Sequence, residues 1–167
     1  MQKNKGFTLI ELMVTIAVLA VVASIAAPSF SDMLKSYKLN QSTEQMMQAL
    51  KEGRSRAAAA RAMVVVCPSQ ESDAKKITVD ACLTNAGGAT AYTDVSRVVL
   101  ANMGSGITVK DDLYVVFSAT GASLESTSNT VPKAKKIVIC LDSDKKTREI
   151  SVTVLGSVSL NGKGTCA

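Results

Sequence analysis

Three patterns of apolar and polar positions follow one another along this chain. From Phe7 to Ala27 nearly every position is apolar, with Thr8, Glu11, Thr15 and Ser24 as the only interruptions. Between Glu11 and Asp32 lie 20 residues without a formal charge, enough for a helix to span a hydrocarbon core of about 30 Å. Beyond Pro28 the apolar residues thin to a stripe. Leu39, Thr43, Met46, Leu50, Gly53, Ala57 and Ala60 recur at spacings of three and four, which is one face of a helix. Its large side chains come first and its small ones last, so the final turns are suited to close packing on a sheet. From Met63 the period shortens to that of strands.

Met63 to Cys67 is a mostly β-branched run ended by Pro68, and it predicts a buried strand. Further strands are expected at Val95–Leu100, Leu113–Phe117, Lys136–Leu141, Glu149–Val154 and Ser157–Leu160. Breakers at Gly87-Gly88, Gly104–Gly106, Ala119–Gly121, Asp142–Lys145 and Gly156 separate them. Ser123 to Pro132 is rich in Ser, Thr and Asn and reads as an exposed loop. The last two strands are close enough for a tight hairpin around Leu155-Gly156, and antiparallel pairing suits such short connections.

The pattern therefore predicts an α+β chain. Residues 1–6 form a short polar leader. One long N-terminal helix over 7–62 follows, with its first half, 7–28, transmembrane. A small antiparallel β-sheet domain over 63–167 packs against the second half. A helix over 7–62 would be about 84 Å long at 1.5 Å per residue, more than a small domain can bury. Its first half must lie in a membrane or among other helices. Lys3 and Lys5 stand before the apolar run, so the N-terminus should stay cytoplasmic. Pro28 removes one backbone hydrogen bond, so a helix break is expected there.

Glu11 changes the picture. The apolar run could be a cleaved signal peptide, with Ser24-Ile25-Ala26 as a small-residue cleavage site, or a plain anchor. A carboxylate in such a run costs about 3 kcal/mol at the centre of a membrane helix and less near its end. It is usually kept for a partner. The natural partner is the positive end of another helix, or an α-amino group freed at Phe7.

Composition narrows the chemistry. The chain has no His, which excludes a Ser-His-Asp triad, a Cys-His dyad and a His-ligated zinc site. An enzyme is not expected, and no cofactor or metal site is expected. Asp111-Asp112 and Asp142-x-Asp144 lack the spacing of a calcium loop and read as turn residues. The four Cys, at 67, 82, 140 and 166, contain no CxxC pair and read as two disulfides behind an export signal. Four Cys allow three pairings. Proximity favours Cys67–Cys82 and Cys140–Cys166, each closing a shorter loop and each contributing about 3 kcal/mol.

Net charge is +5, but the excess is local. Lys3 and Lys5 lie in the leader, and Lys35, Lys38, Lys51, Arg54, Arg56 and Arg61 lie on the helix against Asp32, Glu44 and Glu52. That favours contact with a neighbouring subunit or with lipid headgroups. The helix arginines have no interleaved aromatics for base stacking, so they read as a solvated face.

Lys5-Gly6-Phe7-Thr8-Leu9-Ile10-Glu11 resembles the class III signal of type IV prepilins and type II secretion pseudopilins. The resemblance implies cleavage by prepilin peptidase between Gly6 and Phe7 and N-methylation of Phe7. It also implies an assembly role for Glu11, neutralising the terminal amine of an adjacent subunit, and places Pro28 where pilin helices often bend or melt.

Ser55-Arg56-Ala57-Ala58-Ala59-Ala60-Arg61, followed by Val64-Val65-Val66-Cys67-Pro68-Ser69, resembles the GspH/FimT/FimU family of minor pilins and pseudopilins. Phe117-Ser118-Ala119-Thr120-Gly121 is similar to that family's Phe-x-x-x-Gly turn. The resemblance implies a minor pilin that primes pilus assembly or sits at the tip, in machinery serving adhesion, twitching motility or DNA uptake. Its partners would be other pilins through the N-terminal helix, prepilin peptidase and the inner-membrane assembly platform. It would cross the inner membrane once before assembly and then enter the pilus, with its head in the periplasm or outside the cell. A type II secretion pseudopilin shares this architecture. A DNA receptor for transformation is the other alternative. DNA-uptake members carry Gly-Arg-x-Arg near the C-terminus, where this chain has Gly162-Lys163-Gly164-Thr165-Cys166. Lys163 lacks the bidentate fork of Arg. Lys133, Lys135 and Lys136 offer a second basic patch, which reads better as an edge-strand blocker. DNA is therefore possible but not favoured.

Replacing Gly6 with Ala or a bulkier residue should impair removal of the leader. Mass spectrometry of the N-terminus should show a methylated Phe7 terminus in the wild type and retained leader in the variant. An unchanged mature mass in the variant would refute the cleavage site.

Overall fold

The computed structural model describes residues 7–88, 97–141, 146–162 and 166. The chain has two compact units. The first runs to Ser36 and the second spans Tyr37–Ala167. Helix α1, Leu9–Ala60, contributes to both. The globular unit thus includes the last turns of α1 and begins earlier than the strand pattern suggests.

In the globular unit α1 buries Leu39, Ser42, Thr43, Met46, Ala49, Leu50, Gly53 and Ala57. This is the expected stripe, widened by Ser42 and Ala49 and ending before Ala60, which is exposed. Its two polar members are satisfied. Thr43 Oγ1 donates to the Leu39 carbonyl at 2.7 Å, and Ser42 Oγ accepts from the Gly104 amide at 3.2 Å. Hydroxyls can therefore stand in the core at little cost.

Gly53 sets how close the helix comes to the sheet. A Cβ added there would lie 2.2 Å from Val66 Cγ2 and 3.6 Å from Phe117. The helix ends with the Ala62 amide donating to the Ala57 carbonyl at 3.2 Å, a Schellman-type closure. Arg61 holds the left-handed position at φ 48°, which usually falls to Gly and costs a residue with a Cβ about 1–2 kcal/mol.

Among the described residues, ten strands and one short helix follow. Strand β1 (Val64–Pro68) is the centre of a four-stranded sheet ordered β4-β1-β6-β7, with β4 at Val98–Ala101, β6 at Val115–Phe117 and β7 at Ser123–Leu124. A second sheet has the order β10-β9-β8-β5, with β5 at Ile107–Asp111, β8 at Lys135–Leu141, β9 at Thr147–Val152 and β10 at Val158–Asn161. Strands β2 (Gln70–Ser72) and β3 (Lys75–Lys76) form a separate ribbon. The expected β9–β10 hairpin is present, with Val158 opposite Val152.

One core joins the α1 stripe to both sheets. It contains Val64, Val66, Phe117, Ile107, Ile137, Ile139 and Ile150. A second cluster covers the other face of β1, where Val65 and Cys67 meet Ile77, Leu83 and Ala86 around helix α2 (Val79–Asn85). Strand β1 is thus covered on both faces, so its residues are apolar without alternation.

Pairing of β1 with β4 is parallel, with Val65 opposite Val98. The other named strand pairs among the described residues are antiparallel, as expected. The chain between β1 and β4 contains α2, and such a crossover returns it to the end where β1 began. Thr78 caps α2 by accepting from the Ala81 amide at 3.3 Å. Both favoured disulfides are present, Cys67–Cys82 and Cys140–Cys166, and the first ties α2 to β1.

Two expectations are corrected. Helix α1 runs through Pro28 without a break. Proline cannot donate to the Ser24 carbonyl, but a single missing bond within a long helix leaves the neighbouring turns closed. The 123–132 segment is not a free loop. Ser123 and Leu124 are buried in β7, and Thr127 donates through both its amide and its hydroxyl to the Ala86 carbonyl at the end of α2. Ser126, Ser128 and Asn129 close local turns, and Thr127 links the segment to the domain.

Replacing Gly53 with Ala should destabilise the protein by about 1–3 kcal/mol through overpacking. Replacing Val66 with Ala in that background should recover part of the loss in a double-mutant cycle of thermal unfolding. Strictly additive effects would show that the helix does not rest on Val66.

Candidate functional site

The N-terminal turn of α1 carries a reciprocal cap. The Thr8 amide and Thr8 Oγ1 both donate to Glu11 Oε2 at 2.8 Å. The Glu11 amide in turn donates to Thr8 Oγ1 at 3.3 Å. This is a capping box, which satisfies amides that the first helical turn leaves without partners. The Thr-x-x-Glu spacing was readable in the sequence, yet the sequence argument treated Glu11 only as a charge. Phe7 is 90% exposed and sits one residue before the cap. Gly6 lies outside the described residues.

From Phe7 to Phe30 every large apolar side chain is more than half exposed. The helix is long and apolar enough to cross a membrane. The polar residues within the run are quenched on the helix itself. Thr15 donates to the Leu12 carbonyl at 2.8 Å and Ser24 to the Val21 carbonyl at 2.7 Å. Hydroxyls bonded to the preceding turn can face hydrocarbon. Glu11 differs in carrying a formal charge: its carboxylate is held by Thr8 and shares a shallow hollow with Phe7, Ile10 and Val14.

On the head, the expected lysine patch is not free charge. Lys133 donates to Glu125 at 2.8 Å, and Lys136 lies 3.0 Å from Glu149. Lys135 is buried. It reaches Asp112 at 3.2 Å and lies 4.3 Å over the Tyr114 ring. Lys135, offered only as a possible and not favoured DNA contact, lies on the inward face of β8 with Ile137. The hydrogen bond and charge of Lys133 hold the Glu125 carboxyl below its ordinary value, and Glu125 raises Lys133 in return. Glu149 raises Lys136 in the same way. Lys163 lies outside the described residues.

Asp112 accepts from the Lys136 amide at 2.8 Å, which is the turn role expected of it. Asp142 and Asp144 lie outside the described residues. Among the described residues no group of three acidic or Cys side chains could hold a metal. The Phe117–Gly121 turn has a role that the sequence did not show. Gly121 and Gly156, at φ 80° and φ 74°, bring two turns together beneath Arg54, which donates to the Leu155 carbonyl at 3.1 Å.

Comparison with known proteins matches residues 1–27 to the prokaryotic N-terminal methylation motif. Fimbrial protein EcpB of Eikenella corrodens is 48% identical over 40 residues, a stretch that is 24% of this chain and 25% of that protein's length. The crystal structure of the type IV minor pilin FimU of Pseudomonas aeruginosa superposes with a TM-score of 0.54 over 81% of this chain and 99% of that one, at 15% identity. The N-terminal segment thus carries a methylation motif, and the fold is that of a type IV pilin.

The Glu125–Lys133 pair should show a pH signature. Glu125 is lowered, so its contribution is present above its unfolded value of about 4.5 and is lost as pH falls through the native value. Lys133 is raised, so its contribution is lost only above its ordinary 10.5. Thermal melts should show Glu125→Gln slightly less stable than wild type at pH 7 and equal to it at pH 3. A difference that persists at pH 3 would exclude the ion pair as its source.

Proposed function

We propose that this chain, with its N-terminal methylation motif and pilin fold, is a minor structural subunit of a type IV pilus. The observation that carries the reading is Glu11, a carboxylate held by Thr8 at the start of a helix whose large apolar side chains from Phe7 to Phe30 are exposed. Prepilin peptidase cuts between Gly6 and Phe7, and the new Phe7 amine is methylated. That amine is a cation at the membrane end of the helix. The subunit waits in the inner membrane, with Thr8 holding the carboxylate and lowering the cost of keeping it in lipid.

On assembly the apolar faces of residues 7–28 exchange lipid for the helices of neighbouring pilins. Glu11 exchanges the neutral hydroxyl and amide donors of Thr8 for the cationic terminal amine of an adjacent subunit, and a pairing of two charges in a dry environment is the stronger of the two. The head remains outside the bundle, in the periplasm and then at the cell exterior. A structural role also suits a chain without His. A DNA-receptor role gains no support from the head, where Lys133, Lys135 and Lys136 are paired with carboxylates.

Glu11→Val and Glu11→Gln separate charge from capping. Both variants should remain in the membrane with the leader removed, and both should be depleted from sheared filaments on immunoblotting. Gln can still accept from Thr8 but carries no charge. Normal incorporation of Glu11→Gln would show that the cap, rather than the charge, is what assembly needs. Normal incorporation of both would sink the assembly role.

A further inference from the structure

A hollow of about 500 Å³ opens on the head where Lys51, Arg54 and Ser55 of α1 face the turns at Gly121 and Gly156. We propose that it is a carboxylate-binding site that receives an acidic side chain from the head of a neighbouring pilin subunit. The partner in this proposal rests on the pilus reading above; the site itself does not.

The floor is bare backbone. A Cβ on Gly156 would fall 1.9 Å from the Gly121 carbonyl oxygen, and one on Gly121 would fall 3.1 Å from Arg54 Nε. Both glycines also adopt left-handed φ, which residues with a Cβ avoid. The two turns can meet, and Arg54 can lie against them, only because both positions lack side chains. Arg54 spends one hydrogen bond on the Leu155 carbonyl. A guanidinium has five N–H donors, so it is held in place with donors to spare.

The charge of the hollow is one-sided. It is lined by two cations and no carboxylate. The nearest acidic residue in sequence, Glu52, is engaged by Arg56. Among the described residues no acidic group pairs with Lys51 or Arg54. Two cations at one hollow repel each other, and an anion between them relieves that repulsion.

The isolation of the two cations favours a carboxylate over a nucleic acid. A phosphate backbone needs a track of cations along its length. The lysines of the 133–136 segment are each matched by a carboxylate, so they do not extend the hollow into such a track. The Ser55 hydroxyl beside the cations adds a neutral donor, as suits a carboxylate oxygen.

The test uses the full chain in zwitterionic micelles. Succinate is titrated while the amide resonances of Gly121, Gly156 and Ser157 are followed by NMR, against sodium chloride at equal ionic strength. The expected result is saturable shifts with succinate only, with apparent affinity about threefold weaker in Lys51→Gln, as for loss of one exposed charge. Equal shifts with chloride, or no change in Lys51→Gln, would overturn the site. Stronger shifts from a single-stranded oligonucleotide than from succinate would overturn the occupant. In cells, Lys51→Glu should be processed normally and enter filaments less than wild type. Normal incorporation would overturn the pilin partner. Failure of the Glu11 variants to behave as expected would remove the pilus reading while leaving the succinate result intact.

Discussion

Helix α1 has to satisfy two different surroundings along one axis, and the rest of the structure depends on that constraint. Through Phe30 its apolar side chains face outward on every side, so it needs lipid or other apolar helices around it. From Leu39 onward only one stripe is apolar, and the head covers it. The change occurs within one helix, which continues through the single hydrogen bond missing at Pro28.

The head is organised around the same requirement. A helix can lie flat on a sheet only if something small occupies the point of closest approach. Gly53 fills that role over Val66, and the strand beneath it is the one that follows the helix directly. Strand β1 therefore receives α1 on one face and α2 on the other. Its sequence, Val64 to Cys67, has no polar position because it has no solvent face. The disulfide from Cys67 to Cys82 holds the second cover in place, which a seven-residue helix could not do by propensity alone.

Much of this was legible from residue order. The stripe on α1, the buried β1, the closing hairpin and the disulfide pairing all follow from spacing. The misses have physical causes. Helix α2 is too short to display a helical period, and its signal was confined to the Thr78 cap. Strand β5 does alternate, with Ile107 and Val109 buried, but it stands between glycine breakers and a pair of aspartates that drew attention to turns. The parallel β1–β4 pairing depends on α2, so missing one meant missing the other. Lys135 was misread because a lysine in a strand is normally solvated. Here Asp112 and Tyr114, on a neighbouring segment of chain, receive it. At the candidate assembly site the residues were legible, but the reciprocal bonds between Thr8 and Glu11 needed coordinates.

The interdigitated stripe has a mechanical consequence. A pull along α1 acts parallel to the surface where the helix meets the sheets. Sliding would have to carry Leu39, Met46 and Leu50 past their pockets together, because they are rigid on one helix. The slot at Gly53 also admits no larger neighbour, so a shift by one helical turn has no alternative seat. A joint of this kind resists tension in shear across its whole length.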